Sequence, residues 1–322
     1  TIKNGQYRFY NPDGILRQEG AFKQGQPHGL FHIYYPDGII HQKINFTNGQ
    51  RQGAYESFYR DGVPMQKANY VQGRLDGPFT TFYQHGPVES ITDFKMGIQH
   101  GSIRIFYQNG VLYQSQEVLM GIESGEWQQY HENGNIHYQG KKINGQLTDT
   151  LHTWYPDGTL QRVSIYSNGE INGSYKAYHV TGELMIEAFY ENDLPHGIYK
   201  EYHPNGRVST TGHYEKGEKQ GLWQSYYPNG NLYTSGEFLN DYFEGNWLIF
   251  YPKGNLKQRG KYSNGKATGL WEFFTESGFL QSRGYFFLDR ETGPWIYYQE
   301  NDPTKVKQMV NYCGGKICGA VR

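Results

Sequence analysis

The residues that could carry metal or redox chemistry in this chain are few. Its two cysteines, Cys313 and Cys318, lie close together near the end of the sequence. They could close a small disulfide loop or supply half of a metal site, and two ligands alone do not make a zinc site. His28 and His32 have a spacing that chelates a metal on a helix, but on a strand it separates them by about 13 Å. The sequence therefore predicts no metal site and no cofactor.

The segment 260–267 is similar to a phosphate-binding loop but lacks part of its chemistry. Such a loop needs Ser or Thr after its lysine, to reach Mg²⁺, and a helix immediately afterwards. Here Ala267 follows Lys266, and the next residues have the composition of a strand. No nucleophile elbow or isolated carboxylate pair is present either. We therefore predict that the chain is not an enzyme.

The best candidate for binding is a row of tyrosines in which neighbouring copies stand 24 residues apart, with gaps. Its members are Tyr35, Tyr59, Tyr83, Tyr107, Tyr155, Tyr227 and Tyr251. If neighbouring copies lie two strands apart, or roughly 10 Å, the rings could stack on sugars or pack against apolar side chains of a protein. The alternative is that these rings only cover the second face of a sheet that has no second layer.

The same period runs through the glycines, and it identifies the elements that position these residues. One glycine recurs every 24 residues without a slip: Gly14, Gly38, Gly62, Gly86, Gly110, Gly134, Gly158, Gly182, Gly206, Gly230, Gly254 and Gly278. A fixed period of this length marks a repeat architecture. The chain is thus predicted to be one short unit copied about thirteen times.

Each unit is predicted to be a β-hairpin. In Tyr35-Pro36-Asp37-Gly38, Pro presets the first corner, Asp tolerates the next, and Gly adopts a positive φ, as in a hairpin loop that ends in a G1 bulge. The segments between turns are short and rich in aromatic and β-branched residues, which is typical of strands. The predicted fold is all-β: an elongated, single-layer, twisted antiparallel array of about 13 tandem 24-residue hairpins. Its roughly 26 strands would extend on the order of 120 Å.

Two aromatic columns accompany the glycines. The residue four before each turn glycine is always aromatic, as in Tyr34 and Phe58, and the residue seven before is mostly aromatic, as in Phe31 and Trp223. On an ideal strand this difference of three places the columns on opposite sides. Either both faces of the sheet carry an aromatic column, or a bulge brings the two columns together.

The repeat resembles the bacterial MORN-repeat variant. Good copies are 29–38, Gly-Leu-Phe-His-Ile-Tyr-Tyr-Pro-Asp-Gly, and 221–230, Gly-Leu-Trp-Gln-Ser-Tyr-Tyr-Pro-Asn-Gly. The resemblance covers essentially the whole chain and implies an elongated array of β-hairpins used for protein association. Contact with membranes or lipids and an antitoxin role have also been attached to such repeats, but a fold does not transmit function.

Residues 1–322 are predicted to form a single continuous repeat array, with an irregular repeat around 141–151 and a degenerate final repeat at 301–322. In the irregular repeat, Lys142, Asp149 and Leu151 replace the expected aromatic, glycine and aromatic residues. That stretch is a candidate kink or contact site, or else simple drift. Asp193, Asp241 and Asp289 replace glycines of the return loop, and Asp can keep the same left-handed turn.

Composition limits the partners. The net charge of −1 and a pI near 6.8 give no basic excess for nucleic acid or an anionic bilayer. No apolar run is long enough for a transmembrane helix. The sequence begins at Thr1 without a signal-like segment, so we expect a processed or trimmed protein, with a weak preference for the bacterial cell envelope or export.

These observations predict a non-catalytic protein–protein interaction scaffold, within a cell-envelope or surface assembly. Terminal strands without a pairing partner could also add another chain. One alternative is a carbohydrate- or cell-wall-binding module that uses the aromatic rows. Another is an antitoxin-like neutraliser of a specific toxin.

Overall fold

The computed structural model describes residues 2–300 and 302–321, and the regular elements in these ranges are all β-strands. The chain divides into two compact units, residues 1–159 (unit 1) and 160–322 (unit 2). The prediction of one continuous array over 1–322 stays a prediction. The described part of the chain has no helix that is long and apolar enough to cross a membrane.

Unit 1 is an antiparallel meander in which successive long strands pair, and the two-residue strand at 74–75 pairs with 64–71, which also pairs with 77–82. Its strands are β1 Gly5–Tyr10, β2 Leu16–Lys23, β3 Gln26–Tyr34, β4 Ile40–Thr47, β5 Gln50–Phe58, β6 Pro64–Val71, β7 Arg74–Leu75, β8 Gly77–Phe82, β9 Val88–Lys95, β10 Ile98–Phe106, β11 Leu112–Leu119, β12 Ile122–Tyr130, β13 Ile136–Ile143 and β14 Gln146–Trp154.

Unit 2 repeats this arrangement. Its strands are β15 Leu160–Ser167, β16 Glu170–Tyr178, β17 Leu184–Glu191, β18 Leu194–Pro195, β19 Gly197–Tyr202, β20 Val208–Glu215, β21 Glu218–Tyr226, β22 Leu232–Leu239, β23 Tyr242–Phe250, β24 Leu256–Ser263, β25 Lys266–Phe274, β26 Leu280–Phe287, β27 Arg290–Gln299, β28 Asp302–Cys313 and β29 Lys316–Val321. The all-β hairpin fold predicted from the sequence is confirmed.

The first turn of each hairpin has the geometry that its sequence requires. The amide of Gly38 donates to the Tyr35 carbonyl at 2.9 Å, and the amide of Tyr35 donates to the Ile39 carbonyl at 2.7 Å. The twelve periodic glycines have φ between +77° and +112°. Glycine occupies that region at little steric cost, which accounts for its strict recurrence.

The second turn is a two-residue hairpin turn with positive φ at both central residues, as in Asn48 (+50°) and Gly49 (+81°). Both angles match a type I′ turn, whose twist suits the flanking strands. Asp193, Asp241 and Asp289 adopt φ of +64°, +65° and +68° in the glycine position, so the prediction that Asp keeps this turn is confirmed.

One face of each unit, here called the ring face, carries the column seven before the turn glycine. Its aromatic rings meet those of the return strands edge to face. In unit 2 this ladder is unbroken over ten rings, with centroids 5.0 to 6.0 Å apart: Tyr199, Tyr214, Trp223, Phe238, Trp247, Tyr262, Trp271, Phe286, Trp295 and Tyr312. The four tryptophans are buried, so this ladder is the core of a sheet without a second layer.

Small residues beneath the rings make the ladder possible. Gly236 lies opposite Trp223 in the strand pairing, and a methyl group added to it would come within 2.1 Å of the Trp247 ring. Gly20 has the same relation to Phe31 in unit 1. The neighbouring ring occupies the space that a side chain would need, which is why a glycine lies in the middle of the strand.

The opposite face, here called the mixed face, carries the column four before the turn glycine. There Tyr34 donates its hydroxyl to Glu19 at 2.8 Å, and the Lys43 ammonium lies 5.2 Å from the Phe58 ring centroid. A register shift accompanies each of these residues, but it does not bring the two columns together. Both faces therefore carry an aromatic column, the first of the two interpretations above.

The irregular stretch 141–151 keeps the pairing of the other repeats. Lys142 lies opposite Leu147, with its ammonium 5.1 Å from the Trp127 ring centroid and 2.5 Å from the Glu123 carboxylate. Leu151 is buried at the ring position. The cation thus replaces the missing ring without interrupting the strands, and this favours drift over a kink.

The final repeat departs from the pattern at both ends. Of the three residues that replace its turn glycine, Asn301 lies outside the described residues, as does Arg322. Cys313 and Cys318 are joined by a disulfide with Cα atoms 5.7 Å apart, across the turn between β28 and β29. The disulfide alternative for these cysteines is the one the structure adopts.

Candidate functional site

The predicted tyrosine row lies along the first turns, and its hydroxyl groups bond to the backbone of the next repeat. Each donates to the carbonyl of the residue 23 positions on, at 2.8 or 2.9 Å. The pairs are Tyr35 to Phe58, Tyr59 to Phe82, Tyr83 to Phe106, Tyr107 to Tyr130, Tyr227 to Phe250 and Tyr251 to Phe274. The structure thus gives these rings a role in joining hairpins. Their predicted contact with a ligand is untested.

Histidine takes the same role in two of the gaps of the row. The Nε2 atom of His131 lies 3.0 Å from the Trp154 carbonyl, and that of His203 lies 2.8 Å from the Tyr226 carbonyl. Tyr155, the remaining member of the row, is half-buried at the same place in its turn, where its amide donates to the Thr159 carbonyl at 2.9 Å. His179 fills the third gap without this bond, since its Nε2 atom is buried and has no hydrogen-bond partner among the described residues.

A different set of residues on the mixed face of unit 2 forms an exposed apolar row. Its members lie eight residues before or seven after a turn glycine, so they share one face of successive hairpins. Leu270 and Tyr285 also hold such positions farther along the unit, and the other four lie on neighbouring hairpins: Ile165, Phe189, Ile198 and Leu222, with 37%, 47%, 67% and 55% of their surface exposed. We call these four residues the apolar row. Adjacent strands lie about 4.8 Å apart, so the row extends over roughly 24 Å.

The equivalent positions in unit 1 are mostly polar. They hold Gln6, Asn45, Asn69, Asp93, Ser102, Glu117, Glu126, Lys141 and Thr150, with Ala21, Leu30, Ala54 and Pro78 as the apolar exceptions. The repeat therefore does not require an apolar residue at these positions. In the strand pairing Ser174 lies opposite Phe189 and His213 lies opposite Ile198, so polar residues separate parts of the row. An exposed apolar patch on a protein surface commonly marks an interaction site.

A shallow groove adjoins the apolar row, toward the first turns. It has a volume of about 370 Å³ and is lined by Lys200, Arg207, Val208, Thr211, Tyr226 and Gly230. Among the described residues, neither Lys200 nor Arg207 forms an ion pair. Arg207 donates to the Asn229 carbonyl, which holds its guanidinium over the next turn. We call this the basic groove.

The nearest carboxylate partner is already engaged. Glu187 lies between Lys176 and Lys200 in the strand pairing. It contacts the Lys176 ammonium at 3.3 Å and accepts the Tyr202 hydroxyl at 3.2 Å. Beside this carboxylate, burial and the negative charge of Glu187 raise the pKa of Tyr202, so its hydroxyl stays a donor. Lys200 and Arg207 are thus left as a local positive excess.

The other residues considered for chemistry do not come together. His32 bonds to Glu19 at 3.2 Å, whereas the Nδ1 atom of His28 is buried without a partner. No group of three His, Cys, Asp or Glu side chains that could hold a metal exists among residues 2–300 and 302–321.

Comparison with models of protein families identifies the type of repeat. The family model described as MORN repeat variant matches seven segments in both units: residues 3–24, 27–48, 51–72, 123–141, 195–216, 219–240 and 243–264. The chain is a MORN-repeat-variant protein. No curated protein matches this MORN-variant chain.

Two solved structures that match this chain resemble it only weakly. The structure described as "Crystal Structure of TcdB2-TccC3-Cdc42" shares 11% identity with a TM-score of 0.18, over 96% of this MORN-variant chain and 21% of that one. "Crystal Structure of TcdB2-TccC3" shares 11% identity with a TM-score of 0.13, over 95% and 27%. The chain thus spans about a fifth to a quarter of the length of these proteins.

Sequence reasoning missed the apolar row and the basic groove. The sequence analysis relied on the columns that hold glycine or an aromatic residue in nearly every repeat. The informative signal was weaker: two columns that are mostly polar in unit 1 carry large apolar residues at Ile165, Phe189, Ile198 and Leu222. Alternation along a strand indicates that such residues share a face, but only the structure shows that they are exposed among the described residues.

Proposed function

We propose that this chain is a non-catalytic scaffold that binds a protein partner through the apolar row of unit 2. The observation that carries this proposal is the exposure of four large apolar side chains on neighbouring hairpins, at positions that are mostly polar in unit 1. Burial of such side chains favours association by about 25 cal/mol per Å². A repeat array suits this role because it offers an extended surface instead of an enclosed cavity.

The experiment is co-purification at native abundance, with the bound proteins identified and their stoichiometry measured by mass spectrometry. The double variant Ile198→Asp/Leu222→Asp places charges in the centre of the row and is expected to lose the partner. The matched control, Leu30→Asp/Ala54→Asp, places two charges at the equivalent exposed positions of two successive repeats of unit 1 and is expected to retain it.

Circular dichroism and the thermal midpoint establish that both variants are folded, and the exposure of all four side chains predicts small effects on stability. A partner that binds the Ile198→Asp/Leu222→Asp variant as tightly as the original chain would refute the proposal. A partner lost equally from the control would place the contact elsewhere.

The alternative functions have less support. Six of the seven tyrosine hydroxyls that could bond to a sugar already donate to the backbone, so carbohydrate binding through that row would compete with the fold. The antitoxin role is the case in which the co-purified partner is a toxin, and the same measurement identifies it. Location in the cell envelope stays a prediction.

A further inference from the structure

The apolar row and the basic groove together form one surface with two kinds of chemistry. Ile198 and Lys200 are on the same strand, β19, and two residues apart, so their side chains leave the same face about 6.8 Å from each other. Ile198 belongs to the row, and Lys200 lines the groove. A partner that covers one of them therefore lies close to the other.

The charge of the groove is not balanced within the chain. Glu187 is shared between Lys176 and the Tyr202 hydroxyl, so the ammonium of Lys200 and the guanidinium of Arg207 have no carboxylate of their own. The Thr211 hydroxyl lines the same groove. Two cations and a hydroxyl beside an apolar surface are complementary to a carboxylate on a partly apolar ligand.

We propose that the partner presents an extended segment in which an apolar side chain and a carboxylate are two residues apart, as in Leu-x-Glu. In an extended segment residues i and i+2 point to the same side, so both side chains reach the surface together. The apolar side chain packs among Phe189, Ile198 and Leu222. The carboxylate enters the basic groove between Lys200 and Arg207. This inference rests on the proposed function and names the chemistry of the partner.

The test uses three synthetic, dye-labelled peptides and the full chain, with binding followed by fluorescence anisotropy. The peptides are Ser-Leu-Ser-Glu-Ser-Leu-Ser with both ends blocked, the same peptide with Lys in place of Glu, and the same peptide with Ser in place of both Leu. We expect the first to bind about five- to tenfold more tightly than the second, which corresponds to roughly 1 kcal/mol. The peptide without Leu is expected to bind more weakly than the first.

Charge reversal gives a result that misfolding cannot imitate. The variant Lys200→Glu/Arg207→Glu is expected to prefer the Lys peptide over the Glu peptide, which is a gain of binding. The control Lys253→Glu reverses an exposed cation at another first turn of unit 2, outside the basic groove, and is expected to keep the original preference. Inorganic phosphate is added as a competitor to test whether the groove binds any anion. If phosphate displaces the acidic peptides with and without Leu equally well, the groove is a general anion site and the inference is overturned.

The outcomes separate this inference from the proposed function. If the Glu and Lys peptides bind equally and the Ile198→Asp variant binds neither, recognition of a carboxylate is wrong. Binding through the apolar row is then still supported. No binding of the Glu peptide up to about 1 mM overturns the inference as written. In that case the co-purification experiment still decides whether the row binds a protein.

Discussion

The tyrosine row shows how one residue type can satisfy the ends of many hairpins. At each first turn the forward strand ends at the residue four before the turn glycine. The ring of the preceding repeat reaches the carbonyl of that residue, and its hydroxyl donates to it, for example from Tyr59 to Phe82 at 2.8 Å. His131 and His203 satisfy the same requirement through Nε2. An unsatisfied half-buried carbonyl would weaken the turn, so the recurrence of the row has a structural cause.

The first prediction separates this structural role from ligand binding. Tyr59→Phe keeps the ring but removes the hydroxyl, so the Phe82 carbonyl loses its donor. The free energy of unfolding is expected to fall by about 1 kcal/mol, measured by urea denaturation. Tyr233→Phe is the control, because Tyr233 is exposed and packs on Tyr227 by its ring. Equal stability of Tyr59→Phe and the original chain would show that the hydroxyl has no structural role.

The second prediction concerns the carboxylate of Glu19 on the mixed face of unit 1. Hydrogen bonds from Tyr34 and His32, with a contact from Arg8, hold the pKa of Glu19 below its ordinary value of 4.5. A carboxyl whose pKa is lowered by folding stabilises the fold above the unfolded pKa, and this stabilisation is lost as the pH falls through the folded pKa.

The stability difference between the original chain and Glu19→Gln is therefore expected to shrink as the pH falls below 4.5. Urea denaturation between pH 5 and 3 measures it. A difference that grows as the pH falls below 4.5 would contradict a lowered pKa for Glu19. The raised pKa of Tyr34, about 12, results from burial and from its bond to Glu19, and it does not titrate in this window.

At the scale of the element, the two-residue turns show where sequence and backbone disagree. The first central residue has φ near +50° in every one of these turns between Gln24 and Leu288, and Asn is frequent there. Asn tolerates this left-handed region, whereas a long apolar side chain is strained in it. Met96 and Met120 nevertheless occupy two successive turns of unit 1 with φ of +50° and +51°.

The third prediction is that Met96→Asn and Met120→Asn each raise the free energy of unfolding by about 0.5–1 kcal/mol, because Asn relieves strain in the left-handed conformation. The reverse change, Asn168→Met, is expected to lower it by a similar amount, since Asn168 has φ of +53° in the equivalent turn. Thermal and urea denaturation measure the three variants in parallel. A loss of stability in both Met→Asn variants would show that contacts of the Met side chains outweigh the strain.

Much of each element could be predicted from the sequence because the turns are local. Pro36, Asp37 and Gly38 specify their hairpin without reference to the rest of the chain, and twelve copies remove ambiguity. The function of the tyrosine hydroxyls could not be predicted, because it depends on a carbonyl 23 residues away. The apolar row could not be identified either, since exposure at Ile198 depends on the absence of a covering layer.

At the scale of the whole molecule, each unit behaves as a chain of neighbouring contacts. Every strand of unit 2 packs mainly against the strands before and after it in the chain. In such an array stability is approximately a sum over repeats and their interfaces, so a local defect should stay local. This property also suits a scaffold, since a binding surface on a few hairpins can vary without changing the others.

The fourth prediction tests this locality through Gly236. In Gly236→Ala the new methyl group would lie 2.1 Å from the Trp247 ring, so the ring must move and the adjacent edge-to-face contacts with Phe238 and Tyr262 weaken. The expected cost is about 1–3 kcal/mol. Hydrogen exchange is expected to accelerate in β21–β24, with little change in β27 and β28 or in unit 1. Ser235→Ala, one residue away on the mixed face, is the control. Acceleration throughout both units would instead show that the array unfolds as one cooperative body, and the variants proposed for the apolar row would then have to be judged against global stability.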